Sequence, residues 1–273
     1  MKFSVLMSVY KNDNKVFLKQ AFESIYENQK LKPDEIVVVL DGPLNEGLYT
    51  VIEEFRKKHE EIVKVVRLKE NKGLGNALRI GTKYCTHDYI FRMDSDDISD
   101  EYRFKKQIDY IKMHPEIDVL GCNISEFKFD HKNEKLSIRA VPQKHIDIIE
   151  LAKKRNPINH VTVCIKRKSL IDCGGYKTLL LLEDYYLWVR MLIKGYKFEN
   201  INESLVWVRV GNGFITKRSS NNRIRSLKKL QKYMIENEFI TNIEGIRNVL
   251  YMKTFLLMPT FLKKIIYKIF LRK

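Results

Sequence analysis

Three carboxylates fall within four consecutive positions of the chain, at Asp94, Asp96 and Asp97, with Ser95 after the first. They follow directly on residues 89–93, an apolar run that predicts a buried strand. Neighbouring carboxylates repel one another unless a cation neutralises them. Mg²⁺ and Mn²⁺ prefer oxygen ligands and often bridge a carboxylate to a phosphate. The cluster therefore predicts a metal-assisted nucleotide site, and the alternative is a solvated acidic turn that caps the next helix.

The elements that must position this cluster alternate between strand and helix patterns. Apolar β-branched runs predict strands over residues 3–9, 35–40, 63–68 and 89–93, and amphipathic stretches predict helices over 16–28, 48–59 and about 74–84. This alternation is typical of an α/β fold with a Rossmann-like, mostly parallel sheet, right-handed crossovers and flanking helices.

The second half of the chain has a less regular pattern. It predicts a helix over 101–114, a strand over 117–124, an irregular β-ribbon over 126–141, a helix over 145–154, a strand over 161–165, a helix over 183–193, and strands over 197–201 and 205–210. A basic helix over 219–234 follows. The sequence contains no internal repeat and no low-complexity linker.

Polar residues stand at the end of each of the first four predicted strands, at Ser8 to Tyr10, Asp41, Asn71 to Gly73, and 94–97. Because parallel strands point the same way, we expect these residues to gather along one edge of the sheet. The Asp41 carboxylate can accept a hydrogen bond from a base or a ribose hydroxyl, although it can also be an ordinary turn residue. The turn at 71–73 can bring backbone amides and a cation near a diphosphate.

The composition fits one large α/β domain with an appendage. Hydrophobic residues make up 44% of the 273 residues, which is enough for a substantial core. The four cysteines have no CxxC spacing, so we expect reduced thiols in a cytosolic protein rather than a zinc site or a disulfide framework. We find no signal-peptide pattern and no run of about 18 apolar residues that could cross a bilayer.

The net charge of +16 is concentrated near the C-terminus. Residues 217–273 contain 14 Lys and Arg against 3 Asp and Glu, whereas residues 1–216 contain 36 against 31. Within the last twelve residues, one helical face would hold Leu262, Ile265, Ile266, Ile269 and Phe270, with basic residues on another row. Such a helix can lie in a membrane interface beside anionic lipids, or it can pack on the domain with its basic face in solvent.

Five motifs together resemble family 2 glycosyltransferases with the GT-A fold. They are Ser8-Val9-Tyr10, Val39-Leu40-Asp41-Gly42, Asn71-x-Gly73-Leu74, Arg92-Met93-Asp94-Ser95-Asp96-Asp97, and Leu182-Glu183-Asp184-Tyr185-x-Leu187-Trp188-x-Arg190. The resemblance extends over residues 1–210 in the family's order and spacing. Within the family, the chain is most similar to bacterial enzymes of the amylovoran type, which build capsule, exopolysaccharide or O-antigen repeat units.

The resemblance implies a role for each residue on the donor side. Ser8, Val9, Tyr10 and Asp41 would hold the uracil end of a UDP-sugar, and Asn71 and Gly73 would lie near its diphosphate. Asp94 and Asp96 match the two acids of the DxD motif, with Asp96 as the main ligand of Mn²⁺ or Mg²⁺ and Asp94 facing ribose or sugar. Arg92 and Ser95 would lie beside the donor, and the resemblance assigns no role to Asp97.

On the acceptor side, the resemblance implies that Asp184 is the catalytic base, with Glu183 beside it in the acceptor pocket. A carboxylate opposite the leaving group can take the acceptor hydroxyl's proton, and a single displacement then inverts the anomeric centre. The alternative for both acids is that they complement the dipole of a helix N-terminus. By itself, His160 is more typical of a packed or capping histidine than of a catalytic one.

These inferences predict a glycosyltransferase domain over residues 1–216, with a nucleotide-sugar half over 1–124 and an acceptor half over 125–216. Residues 217–273 form a basic helical extension that we expect to bind the cytoplasmic face of the inner membrane, where a saccharide acceptor is carried on a polyprenyl diphosphate. A sugar nucleotidyltransferase is an alternative, but it would normally have a glycine-rich signature where Ser8-Val9-Tyr10 stands. A basic nucleic-acid-binding module leaves Asp184 and the acidic cluster unexplained.

Overall fold

The computed structural model describes residues 1–134, 136–211, 221–259 and 262. A sheet of nine strands runs through this part of the chain. Its first four strands, β1 (Phe3–Val9), β2 (Glu35–Leu40), β3 (Val63–Arg67) and β4 (Tyr89–Met93), are parallel and lie in the order β3-β2-β1-β4. This half has the Rossmann-like arrangement that the sequence predicts.

The other half of the sheet mixes directions. The remaining strands are β5 (Ile98–Ser99), β6 (Val119–Phe127), β7 (Ser137–Arg139), β8 (Cys164–Lys166) and β9 (Phe198–Arg209). The order continues from β4 as β8-β6-β9-β5, with β7 paired to β6. The β6–β9 pair is parallel, and the pairs made by β8, β5 and β7 are antiparallel.

Helices cover both faces of the sheet. They are α1 (Lys15–Ile25), α2 (Glu46–Lys58), α3 (Leu74–Tyr84), α4 (Arg103–Met113), α5 (His145–Ala152), α6 (Arg167–Asp172), α7 (Glu183–Ile193), α8 (Asn221–Glu236) and α9 (Asn242–Leu257). On one face, Leu18 of α1 and Phe104 of α4 belong to one core with β1. On the other, Leu78 of α3 and Trp188 of α7 belong to a second core. Because both faces are covered, β2 is buried along its whole length, as its unbroken apolar sequence predicts.

Helix α8 packs on the outside of α7 and forms a third, smaller core. Leu227, Leu230 and Met234 of α8 lie in this core with Tyr185 and Val189 of α7. The extension therefore begins as part of the folded body. The four cysteines are buried and free, as expected.

The structure departs from the predicted elements at several places, including the short elements β5 and α6, which were not predicted. Residues 160–162 form a 3₁₀ turn before β8 rather than a strand, because Thr162 Oγ1 bonds to Asn159 O at 2.8 Å and accepts Cys122 N–H at 3.0 Å. The two strands predicted between 197 and 210 are one strand, β9, whose register shifts opposite Asn123. Helix α9 was not predicted, although the capping box of Thr241 and Glu244 marks its start.

The predicted basic helix over 219–234 is present as α8, whereas most of the predicted amphipathic segment 262–273 lies outside the described residues. No described helix combines the length and the apolar character that crossing a membrane requires.

Helix α3 lies close to the sheet because position 81 has no side chain. A Cβ atom built on Gly81 would stand 2.4 Å from Leu6 Cδ1 and 2.6 Å from Val39 Cγ2, both in the fully packed core. The N-terminus of the same helix carries the turn at 71–73 to the sheet edge. The absence of a side chain at Gly81 therefore fixes the position of that turn.

We expect Gly81→Ala to destabilise the protein by about 1–3 kcal/mol, because the added methyl group overpacks the core. Urea denaturation followed by circular dichroism measures this loss. Gly47→Ala is the matched control, since its Cβ would meet the flexible Lys15 side chain and, at an ordinary contact distance of 3.5 Å, Asn45 Oδ1 near the start of α2. Equal stability of the Gly81→Ala variant and the wild type would contradict the packing account.

Candidate active site

The carboxyl ends of the four parallel strands meet along one edge, as predicted. The backbone N–H of Asp41 donates to Val9 O at 2.8 Å, and that of Leu68 donates to Leu40 O at 3.0 Å. The segments that follow β1, β2, β3 and β4 therefore start side by side. The structure brings together Ser8 to Tyr10, Asp41, the turn at 71–73 and residues 94–97.

Asp41 organises the neighbouring turn. Its carboxylate is 3% exposed and accepts the backbone N–H groups of Lys72 and Gly73, both at 3.0 Å. Asn71 Oδ1 also accepts Gly73 N–H at 3.2 Å, and Gly73 has a φ of +86°, which favours glycine. Asp41 is thus a turn residue in this structure. Each of its oxygens keeps a second lone pair, so its predicted contact with uracil stays a prediction.

Asp13 is a site residue that the sequence analysis did not identify. Its carboxylate accepts Tyr10 N–H at 3.0 Å and the Ser95 hydroxyl at 2.7 Å, so it connects the end of β1 to the acidic cluster. Burial raises the pKa of Asp13, and the charge of Asp94 raises it further, against these hydrogen bonds. The sequence feature that could have identified Asp13 is its position a few residues after the end of β1, at the sheet edge where the other candidate site residues lie.

The three carboxylates of the cluster have different surroundings. Oxygen atoms of Asp94, Asp96 and Asp97 all lie within 4.8 Å of one another. Asp94 forms a two-bond ion pair with the buried Arg92 guanidinium. Asp97 is only 3% exposed, and its carboxylate accepts a hydrogen bond from the backbone N–H of Arg209 at 2.9 Å. Asp96 is exposed to solvent. Asp96 is therefore the acid most open to an incoming ligand, and Ser95 supports the loop from behind through Asp13.

The charges in this cluster are not balanced. Although Asp96 has solvent-exposed surface, neighbouring groups crowd its carboxylate; this partial desolvation raises the pKa of Asp96 to about 6, and repulsion from Asp94 and Asp13 adds to it. Burial raises the pKa of Asp97 well above its usual range, with Asp96 and Asp94 as further causes. An all-carboxylate set of this kind provides the hard oxygen ligands that Mg²⁺ and Mn²⁺ prefer, and a dication would relieve the repulsion. The residues thus fit a divalent metal.

A buried arginine stands behind the cluster and was also missed from sequence. Arg103 is fully buried and donates to Arg92 O at 2.8 Å and Val161 O at 2.9 Å. Burial lowers its pKa to about 10, while the charge of Asp97 counteracts the shift. Arg103 fixes the end of β4, where the acidic loop begins.

Arg209, at the end of β9, clamps the other side of the loop. Its guanidinium donates to Asp96 O at 3.1 Å and to Gln20 Oε1 at 2.8 Å, and it lies 3.8 Å from the centre of the Phe17 ring. These contacts join β9 to α1 across the acidic loop. Arg209 is thereby fully engaged in holding the backbone of that loop.

The second pair of acids lies at the start of α7, as predicted. Asp184 Oδ2 accepts the Asn156 amide at 2.6 Å, and its Oδ1 accepts Tyr185 N–H at 2.7 Å. These bonds orient the Asp184 carboxylate while leaving lone pairs for an acceptor proton. The sequence analysis did not assign Asn156 to the site.

Glu183 faces the neighbouring helix. A Cβ atom on Gly75 would stand 2.8 Å from Glu183 Cγ, so Glu183 packs against the first turn of α3. Burial raises the pKa of Glu183, and the charge of Asp184 raises it further. Glu183 therefore lies where the starts of α3 and α7 pack together, next to Asp184 in the chain.

Tyr176 is a buried residue that contacts His160. Its hydroxyl lies 2.9 Å from His160 Nε2. Burial raises the pKa of Tyr176, the Arg92 charge lowers it, and the Asp184 and Asp94 charges raise it. Arg92, Asp94 and Asp184 are thus all within electrostatic reach of one hydroxyl group, although Asp94 and Asp184 are far apart in sequence.

His160 is a packing residue in this arrangement. Its ring lies 5.8 Å from that of Trp188, and burial together with the Arg92 charge holds its pKa well below the usual range. The imidazole is therefore neutral. Arg190 completes the support of Tyr176 by donating to Cys173 O at 2.8 Å and Gly175 O at 2.5 Å.

The structure therefore holds two kinds of acidic group. The loop after β4 has carboxylates suited to a metal-bound diphosphate, and the start of α7 has a single oriented carboxylate, Asp184, suited to accept a proton. Such an arrangement suits the displacement of a diphosphate leaving group by a hydroxyl.

Comparisons with known proteins agree with this chemistry. The family described as Glycosyl transferase family 2 matches residues 4–176. An amylovoran biosynthesis glycosyltransferase of Erwinia amylovora is 35% identical, over 97% of this chain and 98% of that protein. A UDP-Gal:alpha-D-GlcNAc-diphosphoundecaprenol beta-1,3-galactosyltransferase of Escherichia coli is 34% identical, over 100% of this chain and 97% of that protein.

Two solved structures show the same fold at low sequence identity. S. aureus TarS 1–349 in complex with UDP-GlcNAc has a TM-score of 0.68 and 16% identity, covering 93% of this chain and 72% of that chain. A mannosyltransferase from Pyrobaculum calidifontis in complex with GDP-Man and Mn²⁺ has a TM-score of 0.65 and 15% identity, covering 93% and 69%. The low-identity structures show the fold alone, whereas the family match and the relatives show the family. The chain is a glycosyltransferase that belongs to family 2 and has the GT-A fold that its motifs predicted.

Proposed function

We propose that this protein transfers a sugar, with inversion at the anomeric carbon, from a UDP-sugar to a polyprenyl-diphosphate-linked saccharide during bacterial surface polysaccharide synthesis. The observation that carries the proposal is the cluster of the Asp94, Asp96 and Asp97 carboxylates at the end of β4, because it supplies hard oxygen ligands for a metal-bound diphosphate in a chain of this transferase family. Family membership leaves no support for the nucleotidyltransferase or the nucleic-acid-binding alternative.

On the donor side, Asp96 and Asp94 would hold a divalent ion, Mn²⁺ or Mg²⁺. When bound, such an ion acts as a Lewis acid that stabilises negative charge on the leaving diphosphate. Arg92 holds the Asp94 carboxylate in place through its two-bond ion pair. The Asp41 carboxylate holds the turn at 71–73 at the same edge, where the backbone of Gly73 lies close to the bound donor.

On the acceptor side, Asp184 takes the proton of the attacking hydroxyl. The Asn156 amide and the Tyr185 N–H fix the carboxylate, so its free lone pairs keep one direction. Glu183 lies beside it and shapes the acceptor pocket against α3. General-base catalysis of this kind typically contributes ~10²–10⁴-fold to the rate.

A lipid-linked acceptor places the enzyme at a membrane. The E. coli relative is named for an acceptor with an undecaprenyl diphosphate, and the basic C-terminal extension suits an anionic bilayer surface. Segment 262–273, with its apolar and basic rows, contributes to binding the cytoplasmic face of the inner membrane in this proposal.

Asp96→Asn should weaken Mn²⁺-dependent UDP binding by about tenfold or more, because it removes the exposed negative ligand of the cluster. Isothermal titration with UDP in the presence and absence of Mn²⁺ measures the effect. Asp100→Asn, just beyond the cluster, is the control and should bind like wild type. An unchanged Mn²⁺-dependent affinity in Asp96→Asn would remove Asp96 as a ligand.

Binding of Mn²⁺ alone should weaken as the pH falls through about 6, because the metal must then displace a proton from Asp96. Protonation of Asp96 alone predicts an affinity about fourfold lower at pH 5.5 than at pH 7.5. Titration in buffers of different ionisation enthalpy would also detect the released proton. A pH-independent affinity over this range would contradict the proposed metal site.

Asp184→Asn should lower kcat by ~10²–10⁴-fold, because an amide cannot accept the proton. The affinity for UDP should stay within about twofold of wild type, since Asp184 lies on the acceptor side. Metal-dependent turnover of a panel of UDP-sugars provides the assay, and Asp147→Asn, an acid at the first turn of α5, is the control. Normal turnover in Asp184→Asn would exclude it as the base.

A further inference from the structure

An apolar stripe runs along the outer face of α9. Ile243, Ile246, Leu250 and Leu257 are 78%, 70%, 58% and 86% exposed. Their spacing of three, four and seven residues places them on one side of the helix. Single exposed apolar residues are ordinary, but a continuous row of four marks a surface that binds something apolar.

An open groove of about 550 Å³ adjoins the stripe between α8 and α9. The groove is lined by apolar and by charged side chains: Ile235, Ile246, Val249 and Leu250, together with Lys228, Lys253 and the Lys232–Glu236 ion pair. The two helices are fixed to each other, because Asn248 Nδ2 donates to Gln231 Oε1 at 2.8 Å. The groove and the stripe therefore form one stable surface, which we call the α8–α9 surface.

The charge of the α8–α9 surface favours an anionic partner over a second copy of this chain. Among the described residues, no carboxylate lies within 4 Å of the Lys228 or Lys253 ammonium groups. A second copy of this chain would bring the same lysines against them, and like charges repel. An anionic bilayer instead has an acyl-chain region that the apolar stripe can enter and phosphate groups that the lysines can bind.

We propose that the α8–α9 surface binds a bilayer that contains anionic phospholipids, with the α9 stripe at the boundary of headgroups and acyl chains. This inference rests on the proposed function, because the reason to bind a bilayer is to reach a lipid-linked acceptor. It assigns membrane contact to described helices that are separate from the segment 262–273.

The position of this surface in the fold suits that purpose. Asn248 of α9 also donates to Lys153 O at 2.7 Å, at the end of α5, and Asn156, three residues further, donates to Asp184. Helix α8 packs on α7, the helix that begins with Glu183 and Asp184. The lipid-binding surface and the proposed base are thus built on the same packed helices.

Vesicle co-sedimentation of the full chain tests the apolar part. The triple variant Ile246→Ser, Leu250→Ser, Leu257→Ser should bind vesicles of phosphatidylglycerol and phosphatidylethanolamine about tenfold or more weakly than wild type. The matched control is Met113→Ser, Ile146→Ser, Ile171→Ser, which removes three apolar residues that are 69%, 63% and 46% exposed elsewhere. The control should bind within about twofold of wild type.

A second pair of variants tests the charged part. Lys228→Gln with Lys253→Gln should weaken binding to the same vesicles by about 25-fold, since each basic residue near an anionic surface contributes on the order of fivefold. Lys57→Gln with Lys83→Gln removes the same charge from α2 and α3 and should have a smaller effect. Phosphatidylcholine vesicles should abolish the difference between the two pairs.

Two results would overturn the inference. One is wild-type vesicle binding by the α9 triple variant, which would leave membrane contact to other segments. The other is a wild-type dimer, seen by analytical ultracentrifugation, that the same variant dissociates, because the stripe would then bind a second copy. Mn²⁺-dependent UDP binding, measured on every variant, verifies folding and separates a failed membrane surface from a failed donor site.

Discussion

The structure depends on the balance of charge at the end of β4. Two guanidinium groups, Arg92 and Arg103, are buried behind the acidic loop, and only Arg92 pairs directly with a carboxylate, that of Asp94. Asp96 and Asp97 lie in the acidic loop itself. Lost hydration raises the pKa values of both carboxyl groups, and mutual repulsion raises them further. Keeping these acids together without a counter-ion opposes folding, and a dication is the simplest group that removes the repulsion.

The rest of the fold keeps this loop in one position. The parallel strands bring four loops to one edge of the sheet. Both carboxylate oxygens of Asp41 accept backbone hydrogen bonds from the neighbouring turn and hold it in place. Arg209 fixes the loop from the side of β9. On α7, Arg190 holds the glycine turn that precedes Tyr176. A site whose loops are fixed in this way suits a reaction that requires the donor and acceptor to be aligned before transfer.

The sequence predicted the parts that follow from local patterns. Apolar runs such as Ile36 to Leu40 in β2 identified the parallel strands, and the acids after them identified the edge where the site lies. Features that depend on distant partners were not predicted. Asp13 becomes part of the site only because Ser95 of another strand's loop contacts it, and Arg103 looks like an ordinary surface arginine until the core closes over it. The pairing of β8 between β4 and β6 is likewise set by tertiary packing rather than by any local signal.

The most direct test of the central claim is crystallographic: a crystal soaked with UDP and Mn²⁺, with anomalous diffraction data collected at the manganese edge. The account predicts one strong anomalous peak within coordination distance of Asp96, at about 2.0–2.3 Å from a carboxylate oxygen, with the UDP diphosphate on the opposite side of the ion. A peak elsewhere on the molecule, or UDP bound away from the edge formed by β1, β2 and β4, would contradict it.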